Sequence, residues 1–206
     1  ELAGKFPAIL TDKVVGTEAT RLHNDALKML DRIVKEQWLQ AHGVAAIWPA
    51  NSVGDDDIEL YSDASRAQVV GRFQTMRQQS KKAPGVPYIA LADFIAPKGT
   101  PDFLGGFAVT TGHGVDERVK RFEDQQDDYS AILLKALADR LAEAFAEKLH
   151  EVVRKELWGY ASNETLTNEE LIKEAYDGIR PAPGYPACPD HTEKPELFRL
   201  LDGEKN

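Results

Sequence analysis

The stretch VAAIWPANSVGDDDIELYS, residues 44–62, predicts a β-hairpin, and this hairpin decides the class of fold. Residues 44–50 form a short apolar run that is typical of a buried strand, whereas residues 57–62 alternate apolar and polar side chains. Gly54 and Asp55 between the two runs are turn residues. Since strands joined by so short a connection pair antiparallel, the sequence predicts an antiparallel sheet in the middle of the chain.

Three later segments extend the predicted sheet. Residues 87–97 and 102–112 are expected to be strands, and the connection PKGTP between them is turn-like. The segment 66–79 fits either a helix or a strand, and the neighbouring hairpins favour a strand.

Helical periodicity lies on both sides of these strands. Residues 17–39 are predicted to be a helix that stops at Gly43, and a second helical region runs from about 115 to 158. Asp127 and Asp128 suit the start of the main part of that region.

A capping box, TNEE at 167–170, predicts a further short helix that ends near Asp177 and Gly178. Strands therefore cluster and helices flank them, instead of alternating one for one. This order indicates an α+β fold in which helices pack on a twisted antiparallel sheet within a single domain.

Charge and composition exclude several classes of function. The net charge of −9 argues against binding to nucleic acid or to an anionic membrane surface. The chain contains no apolar run near the ~20 residues of a membrane span and no glycine-rich phosphate-binding motif. A lone cysteine, Cys188, allows no intrachain disulfide and fits a reducing compartment. The histidines show no metal-ligand spacing, and His150 is expected on the helix surface.

The segment RPAPGYPACPDHTEK, residues 180–194 and hereafter the proline segment, is the best candidate for a binding site. Its prolines predict a stiff, extended and unpaired backbone. Arg180 offers a planar fork for a carboxylate, and Tyr185 offers a flat face for a heteroaromatic ring. Gly184 permits close approach of a ligand. The residues thus suggest a pocket for a small molecule that carries a carboxylate and an aromatic ring.

Two other interpretations of this segment stay open from the residues alone. It could be a surface loop in which Arg180 pairs with a nearby acid and Tyr185 covers the core. It could instead be a polyproline ligand for an aromatic groove.

An acidic ridge is predicted on the long helix, where carboxylates recur every four residues at Asp139, Glu143, Glu147 and Glu151. The ridge could be a solvated helix face. Alternatively, Asp139 or Glu143 could meet a cation such as a ligand ammonium group.

The proline segment resembles the signature of the activation domain of cobalamin-dependent methionine synthase. AGKFPAIL, WPANSVGDDDIELY, LADFIAP, DDYSAILLKALADRLAEAFAEKLHE and WGYASNETLTNEELI also resemble that domain, in the same order. The resemblance spans nearly all of the 206 residues and implies a C-shaped α+β domain.

The resemblance also implies a function. The parent enzyme of the family is a cytoplasmic methyltransferase that moves a methyl group from 5-methyltetrahydrofolate to homocysteine through cobalamin. The activation domain binds S-adenosylmethionine and supports reductive methylation of inactive cob(II)alamin. Cobalamin sits on a neighbouring domain, and the electron comes from flavodoxin or a flavoprotein reductase.

Site residues follow from the same resemblance, position by position. It implies that S-adenosylmethionine is bound by Arg180, Ala182, Gly184, Tyr185 and Glu143. It places Asp139, Tyr185 and His191 at the interface with the cobalamin-binding domain. It assigns this chain no catalytic residue and no metal ligand.

The family pattern further implies that residues 1–206 are an activation domain incomplete at both ends. A ligand-binding aspartate would precede the sequence and a ligand-binding tyrosine would follow it, so the isolated fragment is expected to be inactive. A non-catalytic interaction module and a stand-alone reactivator of another corrinoid protein are the alternatives. The basic cluster Arg118, Lys120 and Arg121 is a candidate surface for an acidic flavoprotein, or else a solvated helix face.

Overall fold

A computed structural model describes residues 4–205 and divides the chain into two units. The first unit consists of the described part of Glu1–His42 together with Val109–Ala146. The second consists of Gly43–Ala108 and the described part of Glu147–Asn206.

A four-stranded antiparallel sheet confirms the predicted fold class. Its strands are β1 (Gln40–Val53), β2 (Asp57–Tyr61), β3 (Val69–Gln74) and β4 (Asp102–His113), in the order β3-β2-β1-β4. β1 and β2 form the predicted hairpin, in which Ala50 lies opposite Leu60 and Val53 opposite Asp57. Residues 66–79 contain a strand, as favoured above, and its pairing with β2 is interrupted by a register shift at Leu60 and Tyr61.

Burial of the hairpin explains why the second unit folds around it. Ile58 and Leu60 of β2 have no exposed surface, and Phe73 of β3 packs with them. The final helix, α5 (Lys194–Leu201), covers this core with Leu197 and Leu200. Each fully buried aliphatic side chain stabilises the unit by about 1.5–3 kcal/mol. The proline segment, which leads directly into α5, is therefore attached to a packed core.

Three helices form the core of the first unit. They are α1 (Gly16–Lys35), α2 (Val115–Asp124) and α3 (Asp128–Val152), and the last of these continues into the second unit. Met29 and Ile33 of α1 pack with Trp38, Phe122 and Leu134. The Asp127 carboxylate accepts a hydrogen bond from the Ser130 amide at 3.0 Å, which confirms the predicted start of the main helix.

The end of α1 differs from the prediction, because Gly43 lies within β1 and the helix stops at Lys35. Gln37 adopts the left-handed conformation with φ 51°, and the Trp38 amide donates to the Ile33 carbonyl. Burial of Trp38 in the core stabilises this stop. The left-handed residue that ends the helix is therefore Gln37 and not the predicted glycine.

The strand predicted at 87–97 is wrong. Residues Leu91–Phe94 form a 3₁₀ turn instead. The Asp93 carboxylate accepts from the Ala90 amide at 2.9 Å and binds the Arg77 guanidinium at 2.6 and 2.9 Å. These contacts stabilise the turn more than pairing in the sheet would stabilise a strand, although the surrounding apolar residues have a high β-propensity.

The capping box at 167–170 is confirmed, although the helix is shorter than predicted. Glu170 accepts from the Thr167 amide at 2.8 Å, and Thr167 accepts from the Glu170 amide at 3.3 Å. The helix α4 (Asn168–Ile172) ends well before Asp177, because Glu174 adopts a left-handed conformation. Between residues 4 and 205, no helix is both long enough and apolar enough to cross a membrane.

Candidate functional site

The proline segment is coiled by hydrogen bonds of its own backbone, so it is stiff as predicted but not unpaired. The Tyr185 amide donates to the Ala182 carbonyl at 2.9 Å, and the Cys188 amide donates to the Tyr185 carbonyl at 2.9 Å. The Gly184 amide closes the coil on the Cys188 carbonyl at 2.8 Å. The expectation of an extended segment is corrected here, because successive tight turns accommodate the prolines.

One side of this coil is buried and the other is exposed. Ala187 and Cys188 are buried, and the Ala187 carbonyl accepts from the Leu91 amide at 2.8 Å. Ala182 and Gly184 lie on the exposed side, together with Tyr185, of which 60% is exposed. The alternative in which Tyr185 covers the core is therefore wrong, although the pairing of Arg180 with an acid in that alternative is present. The Tyr185 ring is presented to solvent and is free to stack on a planar group.

Gly184 is required at the tip of the coil. Its φ is +103°, and a Cβ at this position would overlap the ring of His191. His191 begins a short 3₁₀ turn, in which the Thr192 amide donates to Oδ1 of Asp190 at 2.8 Å. The exposed His191 ring is therefore held directly against the backbone of Gly184.

Arg180, at the start of the coil, forms an ion pair with Glu147 of α3. Its Nη2 donates to Oε1 of Glu147, and both residues belong to the second unit. Arg180 Nε and Glu147 Oε2 are both buried and have no hydrogen-bond partner. The pair is nevertheless at the surface, since 26% of the Arg180 side chain and 43% of the Glu147 side chain are exposed.

A buried charged cluster also belongs to the second unit. The Arg154 guanidinium has no exposed surface and makes two hydrogen bonds to the Glu164 carboxylate, at 2.8 and 2.6 Å. It also lies 4.3 Å from the centroid of the Tyr176 ring and 2.6 Å from Nδ1 of His150. We call these four residues the Arg154 cluster. The cluster connects the end of α3, the loop 160–164 and the segment that precedes Arg180.

His150 was expected on the helix surface, and this prediction is wrong, since only 6% of the residue is exposed. Burial, and then the positive charges of Arg154 and Arg180, lower the pKa of His150 to about 4. The ring is therefore neutral at pH 7, and its Nδ1 accepts the hydrogen bond from Arg154.

A pocket of about 320 Å³ opens beside the cluster, between residues 160–166 and 175–177. Glu164 and Tyr176 are among its lining residues, whereas Arg180 and Tyr185 are not. It is thus separate from the exposed side of the proline segment.

Comparison with known proteins identifies the family. The sequence profile described as "Vitamin B12 dependent methionine synthase, activation domain" matches residues 1–206. The chain belongs to this family of activation domains. A crystal structure described as the MetH reactivation domain bound to AdoHcy is similar, with 57% sequence identity and a TM-score of 0.89. The match covers 98% of this chain and 62% of that one, so this chain spans less than two thirds of the length of its solved relative.

The remaining predicted residues of this activation domain lie in the first unit. Asp139 and Glu143 are exposed on α3, and Glu143 pairs with Arg140 at 3.0 Å. In the basic cluster, Arg118 stacks on Trp38, with 4.3 Å to the ring centroid, and Arg121 pairs with Glu117.

Sequence reasoning missed both the ion-pair partner of Arg180 and the Arg154 cluster of this activation domain. Glu147 was visible as a member of the acidic ridge, but the ridge gave no reason to single it out. Arg154 and Glu164 are ten residues apart, and no motif links them. The sequence showed only that Arg154 lies near the end of the long helix and that Glu164 precedes the capping box at 167–170.

Proposed function

We propose that this domain binds S-adenosylmethionine and supports the reductive reactivation of cobalamin in full-length methionine synthase. The observation that carries the proposal is the likeness to a reactivation domain bound to AdoHcy, at 57% identity over 98% of this chain. AdoHcy is S-adenosylmethionine without its methyl group, so a site that holds one presents the same contacts to the adenosine and amino-acid parts of the other.

The exposed side of the proline segment is the proposed binding surface. Arg180 would bind the ligand carboxylate, for which a guanidinium provides charge-assisted hydrogen bonds. Main-chain groups at Ala182 and Gly184 would contact the ligand, and the face of Tyr185 would stack on it. The hydrogen-bonded coil keeps these groups in fixed positions, which favours one orientation of the ligand. When bound, S-adenosylmethionine supplies the methyl group on its sulfonium.

Other residues of the domain are proposed to face the ligand or the cobalamin-binding domain. Glu143 is exposed and carries the negative charge suited to a ligand contact. Asp139, Tyr185 and His191 are exposed as well, as an interface with a second domain requires. Cobalamin itself would be carried by that neighbouring domain and not by this chain.

We also propose that an acidic flavoprotein, flavodoxin or a flavoprotein reductase, delivers the electron. Arg118, Lys120 and Arg121 are its candidate docking surface, although Arg121 is already paired with Glu117. Reversing the charge of Lys120 should slow reactivation, and the effect should shrink at high salt. A reactivation rate that is unchanged at low salt would exclude this surface.

Substitution of Arg180 tests the proposed function in the full-length enzyme. Arg180→Ala should slow reactivation at S-adenosylmethionine concentrations that half-saturate the wild type, because the variant binds the ligand more weakly. Turnover with methyltetrahydrofolate and homocysteine should persist, because that reaction does not use this surface. Equal loss of both activities would contradict a role confined to reactivation. Unchanged reactivation would remove Arg180 from the binding site.

A further inference from the structure

Two histidines face each other at one end of the sheet. His42 lies near the start of β1 and His113 is the last residue of β4, and these strands are neighbours in the sheet. Their ring centroids are 4.6 Å apart, and the ring planes are inclined by 46°. Both residues are exposed, and both belong to the first unit. The family resemblance gives this pair no role, and the proposed function does not use it.

The ring nitrogens of the pair are available to a ligand. Among residues 4–205, neither imidazole makes a hydrogen bond or an ion pair with the protein. In this respect the two rings differ from that of His150, whose Nδ1 accepts from Arg154. Because a neutral imidazole is the commonest metal ligand in proteins, two such rings side by side are suited to chelation.

The residues next to the pair leave room for an ion. Gly43 follows His42, and Gly112 precedes His113. Gly112 is exposed, and a Cβ at this position would meet only the Thr110 hydroxyl, at 3.4 Å. An ion that carries bound water can therefore approach the two rings from solvent.

The backbone on both sides of the pair is anchored to the helices of the first unit. Thr111 of β4 is buried, and its hydroxyl donates to the Ala138 carbonyl of α3 at 2.8 Å. Gly114, directly after β4, packs so closely against the Trp38 carbonyl that no Cβ would fit. Trp38, shortly before β1, is buried in the helical core. The two rings thus project from fixed strand ends, which reduces the entropy that chelation costs.

We propose that His42 and His113 together bind a divalent transition-metal ion of the class that imidazole selects, namely Zn²⁺, Ni²⁺ or Cu²⁺. Mg²⁺ and Ca²⁺ prefer oxygen ligands and are not expected at this pair. In the described part of the chain, no set of three His, Cys, Asp or Glu side chains is placed to hold a metal. Water or a ligand from another molecule therefore fills the remaining coordination positions. A bound ion would cross-link the start of β1 to the end of β4.

Calorimetric titration of the full-length enzyme with Ni²⁺ tests the proposal. The wild type is compared with His42→Gln, with His113→Gln and with the double variant, which defines the heat from metal binding elsewhere in the enzyme. Since both positions are exposed, these variants should fold as the wild type does. The wild type should bind one more Ni²⁺ ion than the double variant. Each single variant should bind that ion about tenfold or more weakly, because the second ligand of a chelate binds intramolecularly.

Two controls and a second measurement locate the bound ion. His23 also belongs to the first unit but lies beside the Phe6 ring, at 5.3 Å between centroids, so His23→Gln should leave Ni²⁺ binding unchanged. An excess of Mg²⁺ should not compete with Ni²⁺. Ni²⁺ should slow hydrogen exchange in the peptides that contain His42 and His113 in the wild type, and should not do so in the double variant.

Three results would overturn the proposal. Equal Ni²⁺ binding by the wild type and the double variant would show that the pair holds no ion. A loss of affinity in only one of the two single variants would show that one imidazole binds alone, without chelation. A loss of the same size in His23→Gln would show that Ni²⁺ binds to exposed histidines in general.

Discussion

Removal of the Glu164 charge should destabilise the domain far more than removal of any exposed carboxylate. Glu164 is the counter-charge of Arg154, whose guanidinium has no exposed surface. Glu164→Gln preserves shape and one acceptor but leaves a buried cation uncompensated. His150 does not replace the charge, since its ring is neutral at pH 7, and the face of Tyr176 offers only a weak attraction.

The expected loss is about 3–5 kcal/mol, the range for breaking a buried ion pair by removing one partner. This is a large part of the about 5–15 kcal/mol that stabilises a typical domain. For a chain of this length it corresponds to a fall in melting temperature of about 6–20 °C. Urea denaturation and calorimetry, both at pH 7, measure the two quantities.

Two variants test the reasoning behind this magnitude. Glu143→Gln breaks an ion pair whose two side chains are about 70% exposed and should cost at most about 1 kcal/mol. The double variant Arg154→Met/Glu164→Leu removes both charges and should be more stable than Glu164→Gln. If Glu164→Gln costs no more than Glu143→Gln, the Arg154 cluster does not have the energetic role given to it here.

Two further predictions concern the same region. The pKa of His150 is about 4 in the folded protein and about 6.5 in the unfolded protein. Below pH 6.5 the unfolded state therefore binds more protons, and the contribution of His150 to the free energy of unfolding should fall by about 2 kcal/mol from pH 7 to pH 5. Urea unfolding at pH 7 and pH 5 should show that the free energy of unfolding falls less in His150→Gln than in the wild type, by about 2 kcal/mol. An equal fall in both proteins would contradict a buried neutral ring. Gly184→Ala should destabilise the domain by about 1–3 kcal/mol and weaken ligand binding, because its Cβ meets His191 at a positive φ. Gly99→Ala, with φ +101° and no neighbour within 4 Å, measures the cost of backbone strain alone, and an equal loss of stability in the two variants would refute the steric argument.

Local patterns in the sequence predicted most of the sheet. The β1–β2 hairpin, the strand 102–112, the start of α3 and the capping box at 167–170 depend on residues close together in the chain, and all are confirmed. The segment 87–97 failed because its conformation depends on Arg77, which pairs with Asp93 from sixteen residues away. A distant charge partner leaves no periodicity in the sequence.

The same limit applies to the candidate site. The residue types and rigidity of 180–194 indicated a binding surface, and the exposed Tyr185 is consistent with it. The pairing of Arg180 with Glu147, 33 residues earlier, could not be read from the sequence. His150 shows the same difficulty, since its position on an amphipathic helix did not reveal the buried guanidinium beside it.

Arg180 of the proline segment is proposed to hold the amino-acid end of an S-adenosyl ligand. The most direct test is calorimetric titration of full-length enzyme with S-adenosylhomocysteine, in the wild type, in Arg180→Ala and in Arg21→Ala, which removes an exposed arginine of the first unit. Arg180→Ala should weaken binding by about 10- to 100-fold, the effect of losing a charge-assisted hydrogen bond, and Arg21→Ala should bind as the wild type does. Binding by Arg180→Ala within twofold of the wild type would show that Arg180 does not hold the ligand.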